Sequence, residues 1–401
     1  MALIENLAAA ARQAARLCTA DTLALLQEGL VFHCPLSSSK RRNLTIEMVS
    51  QRLLRYGEWA LPHILHVGVT TMCNLKCPAC PTGNGTLGRP AEHLAFDLYA
   101  RTVDELRDTL MLQLFWDWGE PLMHPRLPDM IEYASRSGIM TVVSTNGTVA
   151  NSEQQIDRLV SARPSVVIVC VDGADQQTYE KYRAGGKLSK VLDTIRRLRA
   201  AKERHGSPYP VVEFRTLAIR DNEHQMPELL SMATDCGADL LNVKSLRPFD
   251  YRGTNVDSEL VPLGPAMSRY AYGEAVRDPA RRLDSAGSGP LRCAKPHHSP
   301  TLNSDGSVSF CSYAAHPQET FGEAGAEGFR KLWRSRRSRE IRMRFTRRGG
   351  SETCDTCYFR SDHPPTILHQ VPLRELPPNI TLAWPKTASE FLAACSSPRS
   401  C

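Results

Sequence analysis

Between residues 62 and 245, short β-rich apolar runs alternate with longer amphipathic stretches, and this alternation limits what the chain can become more than any other feature. The runs HILHVGV (63–69), MLQLFWDW (111–118), IMTVVST (139–145), SVVIVCVD (165–172), VVEFRTLAI (211–219) and DLLNVKS (239–245) read as strands. Apolar residues at helical spacing separate them, over Leu94–Arg107, Leu127–Ser137, Ser152–Ser161, Leu188–His205 and Glu223–Cys236. Six such repeats predict an α/β fold, a parallel sheet curled into a partial (β/α)6 TIM-type barrel over residues 61–255. A site is then expected at the C-terminal ends of the strands.

The flanks are less regular. Apolar residues at helical spacing from Leu3 to Leu30 predict a helical extension over residues 1–60 that packs on the barrel. Gly, Pro, Ser and Asp scattered through RGTNVDSELVPLGP and RRLDSAGSGP predict a linker over 256–290. A small domain is expected over 291–365 and a tail over 366–401, where Cys395 and Cys401 are not expected to bind metal. A length of 401 residues accommodates two or three domains. No stretch approaches the roughly 20 apolar residues of a membrane span, and no basic segment precedes an apolar run at the N-terminus, so a cytoplasmic protein is expected.

In a reducing compartment the 13 cysteines are available as metal ligands. Directly after the first strand, TTMCNLKCPACPTG places Cys73, Cys77 and Cys80 with three and two residues between them. Thiolates select soft metals or iron–sulfur clusters. Three on one loop hold three irons of a cubane and leave the fourth open. Structural zinc takes four protein ligands and favours two close pairs, which a lone triplet does not supply.

This CxxxCxxC loop resembles that of the radical S-adenosylmethionine (SAM) superfamily, and the resemblance runs over roughly residues 60–360. It implies a SAM-binding [4Fe–4S] cluster on Cys73, Cys77 and Cys80, SAM chelated to the open iron, and one-electron cleavage of SAM to a 5′-deoxyadenosyl radical that abstracts a substrate hydrogen atom. It also implies an external reductant such as flavodoxin or ferredoxin.

Other segments carry the resemblance further. Trp118-Gly119-Glu120-Pro121 is similar to the family's Gly-Gly-Glu-Pro motif, with Trp118 in place of the first glycine. There Gly119 permits close backbone approach and Glu120 accepts a hydrogen bond from the SAM ammonium. Ser144-Thr145-Asn146-Gly147 is similar to the family's TNG segment, whose side chains reach the SAM ribose and methionine. Ordinary turns are the plain alternative for both segments. After Val169-Cys170-Val171-Asp172-Gly173 and TYEKYR, the resemblance pairs Arg183 with the SAM carboxylate, a task suited to a forked guanidinium. Cys170 and Asp172 share one strand face. Cys170 reads either as a small buried hydrophobe or as the catalytic donor of a hydrogen atom to a substrate radical.

Cys293, Cys311 and the pair Cys354 and Cys357 form a second set. It resembles the SPASM or shorter twitch extensions of the same superfamily, which implies an auxiliary [4Fe–4S] cluster. Asn303 to Gly306 predicts a hairpin turn that would bring Cys293 and Cys311 onto neighbouring strands. Four thiolates close the shell and suit electron transfer, although tetrahedral zinc accepts the same set.

The net charge of +6 owes much to RKLWRSRRSREIRMRFTRR at 330–348. It reads as an amphipathic helix with Leu332, Trp333, Ile341 and Phe345 inward and the arginines solvated, in preference to a patch for an anionic partner. Nucleic acid is not among the expected partners. The expected function is radical dehydrogenation or epimerisation of a carbohydrate-like or other small hydroxylated metabolite. Its rivals are a radical maturase of ribosomally made peptides and, in another class, a non-catalytic zinc-stabilised binding protein. Asp117, Arg215 and Lys244 are further charged candidates near strand ends or facing the barrel.

Overall fold

The structure is a computed structural model that describes residues 20–50, 59–149, 152–246, 260–264, 267, 293–314, 319–346, 354 and 367–396. In chain order the principal elements begin with β1 (Thr22–Gln27), β2 (Leu30–Pro35), α1 (Ser38–Val49), β3 (Ile64–Val67), α2 (Phe96–Leu106), β4 (Leu112–Phe115), α3 (Leu127–Arg136) and β5 (Met140–Thr145). There follow α4 (Glu153–Ser161), β6 (Val166–Cys170), α5 (Gln176–Tyr182), α6 (Leu188–Arg204), β7 (Val211–Ala218), α7 (Met226–Asp235) and β8 (Leu240–Ser245). The C-terminal third adds α8 (Lys295–His298), β9 (Thr301–Leu302), β10 (Ser307–Ser309), β11 (Thr320–Glu323), α9 (Phe329–Trp333), α10 (Arg336–Thr346), β12 (Ile367–Pro372), β13 (Ile380–Leu382) and α11 (Ala388–Ser396).

Strands β3 to β8 pair in sequence order and all in parallel, which makes the expected partial barrel. Each of the six strands read from the sequence is present, shortened by up to three residues at an end. β3 and β4 are buried along their whole length, as strands covered on both faces must be. Outside them, α2 turns Tyr99, Thr102, Val103 and Leu106 inward, the i, i+3, i+4, i+7 stripe of an amphipathic helix. Ser152 and Asp175 cap α4 and α5 by accepting from the backbone N–H of Gln155 (3.2 Å) and Thr178 (2.9 Å).

The N-terminal flank corrects the helical expectation. Residues 22–35 form an antiparallel hairpin, and its two-residue loop, Glu28 and Gly29, has φ of 52° and 85°, as in a type I′ turn. Helix appears only from Ser38, while residues 1–19 and 51–58 lie outside the described residues. What looked like helical spacing hides an alternation, because Leu30, Phe32 and Cys34 face one way. They share a core with Ile64, Leu112, Met140, Val166, Val211 and Leu240, the first residues of all six barrel strands. The hairpin therefore caps the N-terminal mouth of the barrel. Burial of side chains this size is worth about 1.5–3 kcal/mol each.

The C-terminal flank is also structured where a tail was expected. β12 pairs antiparallel with β8, β13 adds to β2 of the hairpin, and α11 packs on α7. Cys395 packs on the main core, and Cys401 lies outside the described residues. Most of the 256–290 linker also lies outside them, but Leu260 and Val261 are buried beside Tyr182, Ile219 and Leu246.

The second cysteine region continues the barrel sheet. β9 runs parallel to β3, and β10 and β11 follow antiparallel. The expected turn is present, with Asn303 N–H donating to Ser307 O (2.9 Å) and Gly306 at φ 79°. Cys311 follows β10, but Cys293 precedes α8 and is not on a neighbouring strand as expected. Phe310, Phe321 and Trp333 belong to the same core as Val67 and Phe115. The arginine-rich segment divides into α9 and α10, with Leu332, Trp333, Ile341 and Phe345 inward as expected. Arg342 departs from the solvated pattern: it is buried, its Cζ stands 4.1 Å from the Trp333 ring centroid, and it donates to Trp333 O at 2.7 Å.

Candidate active site

The cysteine triplet occupies the loop after β3, at the end of the barrel opposite the hairpin. Backbone contacts hold this loop to its neighbours: Glu120 N–H donates to Met72 O (2.8 Å) and Lys76 N–H to Ala184 O (3.0 Å). A Cβ on Gly119 would lie 2.1 Å from Thr70 O, so the glycine is there to admit the cysteine loop itself. The Glu120 carboxylate is buried and accepts from Thr145 Oγ1 (2.6 Å), Asn146 N–H (2.7 Å) and Leu122 N–H (3.0 Å). A carboxylate offers about four acceptor positions, so room for one further donor remains. Pro121 begins the short 3₁₀ turn that follows.

Two sequence-derived residues touch the sulfurs. Asn146 Nδ2 lies 3.9 Å from Cys73 Sγ and 2.9 Å from Asn74 Oδ1, and Arg183 Nη1 lies 3.9 Å from Cys77 Sγ. Burial pushes Cys77 up to about 11 and raises Cys73, while the Arg183 guanidinium acts in the opposite sense on both. Among the described residues, no three His, Cys, Asp or Glu side chains converge as a single metal ion requires. A cubane takes each thiolate on a separate iron. Three soft donors with cationic and amide N–H groups against their sulfurs therefore fit an iron–sulfur cluster.

Beside the triplet, Arg183 Nε donates to Asp172 Oδ2 at 2.5 Å, and Asp172 Oδ1 accepts from Leu217 N–H at 2.6 Å. These residues open on a cavity of about 300 Å³ that Ser144, Cys170, Trp118 and Asp117 also line. Ser144 Oγ is 3.8 Å from Cys170 Sγ. Burial raises the Cys170 thiol, with Arg183 and Arg215 opposing, so the S–H is retained. Asp117 has no hydrogen-bond partner among the described residues, and burial holds it well above the usual carboxylate range. Arg215, Lys244 and Glu28 line the β7 and β8 side, and Ser312 and Tyr313 come from the second cysteine region.

Cys293 is near enough to both Cys311 and Cys354 for electrostatic influence. All three pack on the main core. Burial pushes Cys311 up to about 12 and raises Cys293. Cys357 lies outside the described residues.

Gly119, Glu120, Pro121, Ser144, Asn146, Cys170, Asp172 and Arg183 thus gather around the first triplet and its cavity. Sequence reasoning missed Asn74, whose Nδ2 donates to Thr148 Oγ1 (2.7 Å), and Glu28, which reaches the cavity from the hairpin. The Glu28-Gly29 dipeptide was the available signal, since Gly at the second position suits a two-residue hairpin loop.

Comparison with known proteins agrees with this geometry. A profile of the radical SAM superfamily matches residues 67–233, and one described as an iron–sulfur cluster-binding domain, SPASM, matches 293–358. The AdoMet-dependent heme synthase of Methanosarcina barkeri is 28% identical over 188 residues, which is 47% of this chain and 51% of the relative. The chain thus spans about half the length of that relative, as it does of the PqqA peptide cyclase of Bradyrhizobium diazoefficiens, 23% identical over 48% of this chain and 49% of the relative. Mycofactocin maturase MftC of Mycobacterium tuberculosis is 26% identical over 306 residues, 71% of this chain and 74% of the relative. Among solved structures, Streptococcus suis SuiB bound to S-adenosylmethionine superposes with a TM-score of 0.54 at 11% identity, over 74% of this chain and 70% of that one. The chain carries a radical SAM domain over residues 67–233 and a C-terminal SPASM iron–sulfur domain over 293–358, and these domains imply [4Fe–4S] clusters and S-adenosylmethionine as its cofactors.

Proposed function

We propose that this enzyme carries out a radical modification of a peptide. The observation that carries this reading is the match to the mycofactocin maturase, which runs across 306 residues, together with that to the PqqA peptide cyclase. On this reading Cys73, Cys77 and Cys80 hold the SAM-binding cluster, and Cys293, Cys311, Cys354 and Cys357 hold the auxiliary one. Glu120, with its spare acceptor position, takes the SAM ammonium, and Arg183 takes the carboxylate. Ser144, Asn146 and Asp172 line the rest of the cofactor's place, and Gly119 and Pro121 shape the turn that presents Glu120. When bound, the cluster and SAM together supply a 5′-deoxyadenosyl radical.

The chain's own contribution is to orient the substrate, exclude water and return a hydrogen atom. The hairpin closes one barrel mouth, so substrate enters past Ser312 and Tyr313. Cys170, which keeps its proton, gives its S–H hydrogen atom to the substrate carbon radical and becomes a thiyl radical. One electron and one proton restore the thiol, the electron coming from a flavodoxin- or ferredoxin-class reductant. The net outcome is epimerisation of the peptide at the attacked carbon.

A small hydroxylated metabolite is the second reading, favoured by the hydroxyls of Ser144, Ser245 and Ser312 on the cavity wall. The test is anaerobic turnover in D2O with the iron-loaded enzyme, SAM, dithionite and a short precursor peptide encoded beside the gene. One deuterium per modified peptide, absent with Cys170→Ala, is expected. A protein that releases 5′-deoxyadenosine with hydroxylated metabolites and never with peptides would overturn the peptide reading. Unchanged product from Cys170→Ala would remove the role given to the thiol.

A further inference from the structure

We propose that the β7 wall of the cavity is a binding site for a carboxylate of the substrate, which it presents to the Nη2 nitrogen of Arg215. The proposal rests on reading this cavity as the substrate chamber, and it names a group that no family motif specifies. Arg215 Nε donates to Glu213 Oε1 at 2.5 Å and Nη1 donates to Glu28 Oε2 at 3.1 Å. Its third nitrogen, Nη2, is buried and has no hydrogen-bond partner among the described residues. Leaving a buried guanidinium N–H without an acceptor is costly. This one belongs to a residue that lines the cavity, where a ligand oxygen can complete its bonds.

The surroundings of Arg215 are arranged to present that nitrogen. Glu28 sits at φ 52°, a region that costs a residue with a side chain about 1–3 kcal/mol and where a hairpin loop ordinarily carries Asn, Asp or Gly. Its longer side chain reaches Arg215 and also pairs with Lys244 Nζ. Gly29 O accepts from Gln370 Nε2 (3.1 Å), which docks the hairpin tip against β12. Two carboxylates, one from β7 and one from a hairpin outside both matched family regions, therefore fix the guanidinium while Lys244 adds positive charge. Arg215 and Cys170 are register partners on β7 and β6. A carboxylate on Nη2 thus brings its neighbouring carbon beside the Cys170 thiol. The carboxylate belongs either to a peptide or to a small acid.

Alkylation of Cys170 in the iron-loaded, SAM-free enzyme reads this site without the natural substrate. Iodoacetate and iodoacetamide have the same leaving group and nearly the same size, and in both the Cys170 sulfur forms the C–S bond as iodide departs. The ratio of their rates, followed at the Cys170 peptide by mass spectrometry, cancels the thiolate fraction. Arg215→Gln is expected to lower the iodoacetate preference about tenfold, the size of one charge-assisted hydrogen bond. Glu28→Gln removes the competing carboxylate at constant shape and is expected to raise the preference. Ratios unchanged in both folded variants overturn the proposal. Should Arg215→Gln fail to fold, a ratio that stays level or falls in Glu28→Gln overturns it alone. Protection of Cys170 from iodoacetamide by glutarate assigns the carboxylate to a small acid, and protection only by an acetylated, amidated Ala-Glu-Ala tripeptide assigns it to a peptide. Protection by neither also overturns it. A carboxylate site that favours glutarate would sink the peptide reading and leave this inference standing, so the two failures are distinguishable.

Discussion

The regions that carry the two cysteine sets contribute strands to one continuous sheet, yet their described cysteines sit in different surroundings. The first is on a loop among polar donors, with Asn146 and Arg183 against its sulfurs and a cavity beside it. Of the second, Cys293, Cys311 and Cys354 are set into the apolar core, where the Phe310 and Phe345 rings meet at a tilt with centroids 5.1 Å apart. The difference teaches that the two cysteine regions of this chain are supported by different physics. Charge-assisted hydrogen bonds tune and orient the first, whereas packing encloses the second.

Replacing the cysteines tests that division most severely. Cys73→Ala, Cys77→Ala or Cys80→Ala should each bring 5′-deoxyadenosine release down to the enzyme-free background and remove about four irons per chain. Cys311→Ala should also cost about four irons but leave 5′-deoxyadenosine release measurable. Loss of release from a folded Cys311→Ala protein would break the comparison. Next in size, Phe345→Ala should destabilise the second region by about 3–5 kcal/mol through the cavity it leaves. Denaturant unfolding measures this, and a cost below about 1 kcal/mol would show that packing is not what holds that region.

Glu120→Gln probes the polar side. It places an amide where the Asn146 N–H now finds a carboxylate, and about 1–3 kcal/mol of stability should be lost, together with SAM affinity measured by calorimetry. Retained affinity would remove Glu120 from the proposed SAM contacts. The smallest effect is a pH slope. Burial lowers His66 to about 3, His297 to about 4 and His298 to about 3, against an ordinary value near 6.5. These depressed values mean that the unfolded chain takes up protons the folded one refuses. Stability is fully present above pH 6.5 and is lost as pH falls toward 4 and 3, by up to about 1.4 kcal/mol per pH unit for each histidine. His66→Gln should flatten the slope of unfolding free energy by about one such increment, and an unchanged slope would show that His66 takes a proton in the folded state.

The legibility of this chain follows the range of the interactions involved. The strands and helices of the barrel were readable because each buries a stripe or a face set by its own residues, as in α2. The triplet, the GEP turn and Asn146 were readable because their spacing lies within a few residues on one loop or strand end. The hairpin was not readable. Leu23, Leu25 and Leu26 satisfy a helical period about as well as a strand period, and only the six strand starts packed against Leu30, Phe32 and Cys34 decide between them. β12 failed for the same reason, since ILHQVP becomes a strand by completing the edge of β8.

The amino-acid sequence by itself determined the order of strands and helices, the two cysteine sets and the loop that carries the first, because periodicity and short spacing are local properties. Only the tertiary structure decided that the N-terminal flank would cap the barrel, that the second cysteine region would extend its sheet, and that Glu28, Asp117, Cys170 and Arg215 would share one cavity. Those outcomes depend on burial and ion pairing between residues as far apart as 28 and 215, which no local pattern encodes.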